Sequence, residues 1–464
     1  MQRQSSNEPE LLQNKTCIME GDDGLLRLAI IADDLTGASD SGVQVARRGL
    51  PAQVVFDWKG LAEPSASQGT LVIDTDSRAV PGSLAYSRVR AAAASLQAQG
   101  CRFIYKKMDS TLRGNLGQEI DAVLDVYGFG AALVVPAFPR IGRTTVGGIH
   151  YLNGVPIHET EIGRDPKTPV PEAEITKLLA AQSRRKAASV QLDAIRGGQE
   201  ALETAIEQAL SAGAELIVLD AETDQDIQSL AALIPRYGER FLWAGSAGLA
   251  EYLPLGSEEE KEEERLGERP SPSLSGRLPV MLVAGSISRV TRAQLQKVNE
   301  QQGIVPVELD PLALLTAPGQ AADEKTRCYH ALSGALRAGA DVSFYAGSSP
   351  EQVQQAQHLG AGQGMGASSV SDAIADALGE VAAKLAAAHP LQGLVLTGGD
   401  TAKAVCRHLG VSGIELMAEV EPGIPLGRLI GAGHLPAVTK AGAFGQTESL
   451  LRAMYILKGE LGHE

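Results

Sequence analysis

From Leu28 onward the chain alternates short aliphatic and β-branched runs, each closed by Gly, Asp, Ser or Pro, with longer stretches of helical periodicity. That alternation is the pattern of an α/β protein built on a mostly parallel sheet covered by helices. In the first half the spacing predicts strands over 28–32, 53–56, 70–74, 103–107, 132–136, 189–192, 216–219 and 241–244, and helices over 39–48, 84–99, 116–127, 172–182, 198–212 and 224–234. Continuous apolar runs of this kind suit strands buried on both faces.

The rhythm breaks at 256–279, where SEEEKEEERLGERPSPSLSGR has no apolar period, a charge run, and prolines set among serines. It resumes with predicted strands over 280–284, 305–308, 341–345 and 393–397 and helices over 291–302, 324–338, 371–388 and 401–409. The reading is a leader (1–24) expected to be disordered, an α/β domain over 25–254, an acidic linker over 255–279 and a second α/β domain over 280–464.

Composition narrows the function. The 464 residues carry a formal net charge of −15, with 44% hydrophobic and 21% charged residues. Disorder and collagen-like repeats are excluded. An acidic chain with no basic window argues against nucleic acid or an anionic membrane as partner. Four scattered cysteines form no C-x-x-C pair, as expected of a reduced cytoplasmic protein. The leader lacks the apolar core of a secretory signal, and no apolar run approaches the ~20 residues of a membrane span.

Chemistry gathers at the predicted strand ends. The first strand runs into Asp33-Asp34-Leu35-Thr36-Gly37-Ala38-Ser39-Asp40. Carboxylates there can cap a turn, accept ligand hydroxyls, help hold Mg²⁺ or act as a general base. Asp74-Thr75-Asp76-Ser77-Arg78 closes another strand, and Lys106-Lys107-Met108-Asp109-Ser110-Thr111-Leu112-Arg113-Gly114-Asn115 a third. The last block has the ammonium, guanidinium and short polar groups that a hydroxy-acid needs, and Pro139-Arg140-Ile141-Gly142-Arg143 follows a fourth. If the sheet is parallel, these ends face one rim.

In the second half Gly398-Gly399-Asp400-Thr401 and Gly285-Ser286-Ile287-Ser288 each join a strand to a helix start, and Gly442-Ala443-Phe444-Gly445 is a third Gly-rich turn. Such turns let the backbone approach a phosphate at a helix N-terminus, although one alone is more often a plain turn. The chain contains no Walker A loop, His-Glu-x-x-His or G-x-S-x-G elbow, and its histidines have no metal-ligand spacing. Gly362-Gln363-Gly364-Met365-Gly366-Ala367 matches a dinucleotide fingerprint in letters but follows a helical segment, which favours a loop and helix start and weakens a dehydrogenase reading.

IADDLTGASDSGVQVARRG, DTDSR, KKMDSTLRGN, VVPAFPRIGRTTVGGIHYLNGVPIHETEIGRDPKTPV, AGSISRVTRAQL and LTGGDTAKAV, in that order, together resemble the four-carbon acid sugar kinase family, most closely its D-threonate kinase branch. The resemblance implies an N-terminal sugar-acid-binding domain, a C-terminal nucleotide-binding domain and an active site in the cleft between them. It makes Asp34, Arg78, Lys107, Met108, Asp109 and Ser110, with Arg113 nearby, the sugar-acid contacts. Ser286, Gly398, Gly399, Asp400, Thr401 and Gly445 are then the ATP contacts. ATP with Mg²⁺ is the expected cofactor pair, and Asp34 is the favoured base, with Asp33 and Asp109 as substitutes and Asp400 acting on Mg²⁺. A homodimer is an open expectation. A non-catalytic hydroxy-acid-binding protein is the rival of a different class; it would have no use for the phosphate turns.

The charge also has a location. From Glu258 to Glu268 there are seven acidic and two basic residues, whereas Arg78, Lys106, Lys107, Arg113, Arg140 and Arg143 are expected on the substrate rim, where the local field matters more than the total.

Overall fold

The computed structural model describes residues 28–56, 69–165, 167–253 and 278–460. The expected leader and all but the last two residues of the expected linker lie outside the described residues.

The first half contributes β1 (Leu28–Ala32), β2 (Ala52–Val55), β3 (Thr70–Asp74), β4 (Phe103–Lys107), β5 (Ala132–Val135), β6 (Arg143–Val146), β7 (Ile149–Leu152), β8 (Val155–Pro156), β9 (Ala187–Val190), β10 (Leu216–Leu219) and β11 (Leu242–Gly245). Eight of these run parallel in the order β2-β3-β1-β4-β11-β5-β10-β9. β6, β7 and β8 form a separate antiparallel sheet. The second half contributes β12 (Val280–Ala284), β13 (Ile304–Leu309), β14 (Asp341–Ala346), β15 (Gly393–Thr397), β16 (Gly413–Glu421), β17 (Ile424–Ile430) and β18 (Pro436–Lys440). Here β13-β14-β12-β15-β18 are parallel, and β17 and β16 continue antiparallel.

Every residue of β1, β4, β5, β12 and β15 is buried. These are the continuous apolar runs of the sequence, covered by helices on both faces. All twelve predicted strands match within two residues at either end. The helix predicted at 39–48 starts earlier, as Leu35–Ala46, because the Asp34 carboxylate caps it by accepting from the Gly37 N–H at 2.9 Å.

The two domain sheets join edge to edge. β2 pairs antiparallel with β16, Val54 opposite Ile414 and Val55 opposite Gly413, so fifteen strands form one sheet. A Cβ on Gly413 would lie 2.4 Å from the Val54 carbonyl oxygen, so only glycine permits the junction. One apolar layer crosses it, with Ala52, Val54, Ile414, Leu416 and Leu429 in the same cluster as Ile30 and Val283. The helix Leu35–Ala46 lies along this seam and is buried from Leu35 through Val45. Its small residues follow from that position: a Cβ on Gly42 would stand 2.5 Å from Leu416 Cδ1.

Candidate active site

β1 lies between β3 and β4, and the chain departs from it to both sides. The carboxyl ends of these strands therefore form the crevice in which open α/β sheets bind ligands. Three loops meet there and are tied together. Asn115 Nδ2 donates to the carbonyls of Ser77 (2.9 Å) and Val80 (2.8 Å). Two residues in these loops hold left-handed backbone without being glycine, Asp76 at φ 49° and Leu112 at φ 62°. Such strain persists where the surroundings over-determine it, as they do at ligand sites.

The side chains form one ion network. Arg78 Nε and Nη2 donate to Asp33 at 2.7 and 3.0 Å, and Nη1 and Nη2 donate to Asp34 at 2.8 and 2.7 Å. Arg78 Nη2 also stands 3.7 Å from Asp109 Oδ1, and Arg113 Nε donates to Asp109 Oδ2 at 2.8 Å. Burial alone would raise the Asp33 carboxyl, but Arg78 overrides it and holds the group below the usual carboxylate range. Asp109 follows the same logic: burial opposes its charge, and Arg113 and Arg78 hold it well below that range. Asp34 takes two hydrogen bonds from the same Arg78 and also caps the helix that follows it. Removing one partner from such a buried network costs about 3–5 kcal/mol.

Lys107 is 3% exposed and has no ion pair among the described residues. A Cβ on Gly37 would lie 2.8 Å from its ammonium and 2.7 Å from Asp34 Oδ1, so the missing side chain at Gly37 is what lets the two groups approach. Lys106 and Arg140 depart from the expected rim. The Lys106 ammonium is 1% exposed and pairs with Glu119 at 2.8 Å, and Arg140 faces Glu251 and Asp224. Met108 packs in the apolar layer, its N–H donating to the Gly245 carbonyl at 2.8 Å. Ser110 is held from below by His150, whose Nε2 donates to the Ser110 carbonyl at 2.8 Å while Nδ1 lies 3.0 Å from Thr145 Oγ1. Burial pushes the His150 imidazole down to about 4, so it is neutral at neutral pH. Asp40, one turn on from Asp34's cap, is pushed by burial up to about 7, with Lys107 opposing.

The nucleotide-side turns converge at the carboxyl ends of β12, β15 and β18. A Cβ on Gly285 would lie 2.2 Å from Thr401 Oγ1, one on Gly442 2.1 Å from Ser286 Oγ, and one on Gly398 3.5 Å from the Ser286 nitrogen. Ser286, Gly398 and Thr401 are thus brought together, and the glycines form a cradle that any side chain would fill. Gly398 sits at φ 97° and precedes the helix Gly399–His408, whose first N–H groups are open to an anion. A nucleotide's phosphates fit this cradle of neutral hydroxyls and backbone. Gly445 closes the far end of its turn against Ser449. Lys440, not anticipated from the sequence, donates to the carbonyls of Ala441 (2.7 Å), Gly442 (3.2 Å) and Phe444 (3.1 Å) and so shapes that turn from beneath. A lysine ending an apolar strand just before a Gly-rich turn was the available signal.

The two halves meet. A Cβ on Gly399 would stand 3.5 Å from Thr36 Oγ1 and 3.9 Å from Asp34 Oδ2. Ion pairs cross the same boundary: Lys167 with Asp400 (2.6 Å) and Asp372 (3.2 Å), Lys403 with Asp74 (3.4 Å) and with Asp76, and Arg47 with Glu419 (2.7 Å). Asp400 therefore faces an ammonium of the opposite domain. Among the described residues no three His, Cys, Asp or Glu side chains converge as metal ligands, and no helix is long and apolar enough to cross a membrane.

Comparison with known proteins gives the two halves separate matches. Residues 28–253 match a sugar-binding N-terminal domain, and residues 281–450 a nucleotide-binding C-terminal domain. The chain is 33% identical to a D-threonate kinase of Salmonella typhimurium, over 93% of this chain and 99% of that protein. It is 36% identical to one of Bordetella bronchiseptica, over 93% and 97%. A D-erythronate kinase of Heliobacterium modesticaldum is 32% identical over 94% and 98%. A protein of Salmonella typhimurium with a crystal structure shares the fold at TM-score 0.75 and 23% identity, covering 92% of this chain and 99% of that one.

Proposed function

The chain belongs to the four-carbon acid sugar kinase family, and from that premise we propose that it phosphorylates the terminal C4 hydroxyl of D-threonate, with D-erythronate or a 3-oxo-tetronate as the alternative acceptor. The observation that carries this reading is the approach of Gly399 to Asp34 and Thr36: the turn suited to phosphates abuts the carboxylate suited to a hydroxyl.

ATP supplies the phosphoryl group when bound, with Mg²⁺ offsetting the charge of its phosphate oxygens. Ser286, Gly398, Gly399, Thr401 and the turn ending at Gly445 hold the nucleotide, and Asp400 would be the carboxylate that acts on its Mg²⁺. Arg78, Lys107, Asp109, Ser110 and Arg113 orient the acid, and the Met108 backbone sets the register of that loop. Asp34 accepts the C4 hydroxyl proton as the new P–O bond forms and the bond to the ADP leaving oxygen breaks. Positioning and charge supply most of the rate in such transfers, which suits a site whose side chains are already fixed by one another. A cytoplasmic location and a homodimer complete the proposal.

A coupled ADP-release assay over D-threonate, D-erythronate, 3-oxo-tetronate, L-threonate and D-glycerate tests it. D-threonate is expected to give the highest kcat/KM. Turnover of none of these acids by a protein that binds ATP would refute the proposed activity, and a preference for another of them would refute the assigned acid.

A further inference from the structure

The site contains a second cation, half-buried, with no ion pair among the described residues. Arg143 begins β6, and its backbone is fixed on several sides. Phe138 and Arg143 exchange hydrogen bonds at 2.7 and 3.1 Å, Thr145 and Ala221 at 2.8 and 3.0 Å, and the N–H groups of Gly147 and Gly148 donate to Asp220 at 2.6 and 2.9 Å. From this rigid arm the guanidinium reaches over the Phe444 ring, 5.5 Å from its centroid, and so touches the nucleotide-side turn. Nη1 donates to the Ile141 carbonyl. Nε is buried and finds no hydrogen-bond partner, and the guanidinium forms no ion pair, among the described residues. Burial disfavours its charge, Asp109, Asp40 and Glu161 favour it, and Arg113 opposes it. The other site cations are spoken for: Arg78 by Asp33 and Asp34, Arg113 by Asp109, Lys106 by Glu119.

Among the described residues two site cations without an ion pair therefore remain, Lys107 and Arg143, and they stand on different elements, the end of β4 and the start of β6. Lys107 stands beside Gly37 and Asp34, where Gly399 arrives and transfer takes place. Arg143 is tied to the Asp109–Arg113 loop through its own arm, since Thr145 on β6 meets His150 Nδ1 at 3.0 Å and His150 Nε2 donates to the Ser110 carbonyl at 2.8 Å, and Asp109 and Arg113 are among the charges that act on it. A compact ammonium beside Asp34 is suited, as a point charge, to the C4 end of the acid, and a planar fork is suited to its carboxylate. A four-carbon acid has its carboxylate at the opposite end from its C4 hydroxyl. Resting on the kinase reading above, we propose that Arg143 is the specificity-determining residue that binds the substrate carboxylate and so selects acids over neutral four-carbon polyols. Because the same guanidinium lies on Phe444, the acid's charge is read where the nucleotide-side turn meets the sugar-acid loops.

The test is calorimetric binding of D-threonate and of its uncharged amide to full-length protein without nucleotide, for wild type, R143Q and R143K, together with steady-state kinetics. An unchanged melting temperature serves as the check on folding. Wild type should prefer the acid to the amide. R143Q should lose about 100-fold in affinity for the acid and little for the amide, with KM rising in parallel and kcat at saturating acid within about tenfold of wild type. R143K, which keeps the charge but not the fork, should fall between. Acid affinity in R143Q within threefold of wild type, or a collapse of kcat at unchanged affinity, would overturn the assignment; the second result would place Arg143 on the phosphoryl group instead. Should R143Q fail the folding check, the same two results in R143K decide. If wild type binds none of the four-carbon acids, it is the kinase reading that fails.

Discussion

The two halves of the site are built by opposite means. On the sugar-acid side three carboxylates, Asp33, Asp34 and Asp109, each lie within hydrogen-bond or ion-pair distance of Arg78, and all four groups are buried or half-buried. On the nucleotide side the converging groups are glycines and hydroxyls, and the carboxylate there, Asp400, is exposed and paired across the boundary. A small acid offers few atoms, so its orientation must come from directional side chains already locked in place. A nucleotide brings its own charge and needs room, N–H groups and a helix start. The comparison predicts that damage on one side will spare binding on the other.

The largest effect should come from Asp34→Asn, which keeps the size and the cap on Gly37 but removes the proton acceptor. A decrease in kcat of about a thousandfold is expected, within the range of general-base removal, with ATP affinity unchanged. Near-normal turnover at saturating acid would transfer the role of base to another group and leave Asp34 a partner of Arg78.

A smaller loss, confined to the other side, should follow Gly398→Ala. The backbone at φ 97° disfavours any side chain, and the added Cβ would lie 3.4 Å from Thr401 Oγ1 and 3.5 Å from the Ser286 nitrogen. Strain of about 1–3 kcal/mol should raise the KM for ATP roughly tenfold or more while sugar-acid affinity, measured without nucleotide, stays within twofold. Equal losses on both ligands would break the division between the halves.

Legibility from sequence divides along related lines. The strands buried on both faces were readable because continuous apolar runs have few alternatives, and the polar clusters were readable because they end those runs. β16 and β17 escaped because they alternate, as in Ile414-Glu415-Leu416 and Glu419-Val420-Glu421, about a Pro422-Gly423 turn, and that signal is weaker than a run. The arm of β6, β7 and β8 carried its own turn marks, Gly147-Gly148 and Asn153-Gly154, all at positive φ. Charge was the least legible. Lys106, Lys107 and Arg143 read alike in one dimension, and only the fold decides that the first pairs with Glu119 while the other two form no ion pair among the described residues. The edge-to-edge joining of the sheets was likewise invisible, since it depends on which strand edges are left unpaired after each domain folds.

The smallest predicted effect probes the nucleotide side through Lys440. Burial pushes its ammonium down to about 7, with Glu421 favouring the charge, whereas in the unfolded chain it returns to its ordinary value near 10.5. Between those values the unfolded chain holds a proton that the folded protein has released, so this residue makes stability rise with pH, by up to about 1.4 kcal/mol per unit. Below about pH 7 both states are charged and its contribution is flat. Lys440→Met cannot titrate, so the melting temperature of wild type minus that of the variant should grow by a few degrees from pH 7 to 9. Over the same range the ammonium that donates to three carbonyls becomes an amine with two protons, so one carbonyl of the 441–444 turn loses its donor. The wild-type KM for ATP should then rise two- to threefold relative to the variant while sugar-acid affinity stays level. A flat difference would mean that the turn is held by Thr291 and Gln294, which also donate to its carbonyls, and that the nucleotide side depends on backbone shape with no titrating charge beneath it.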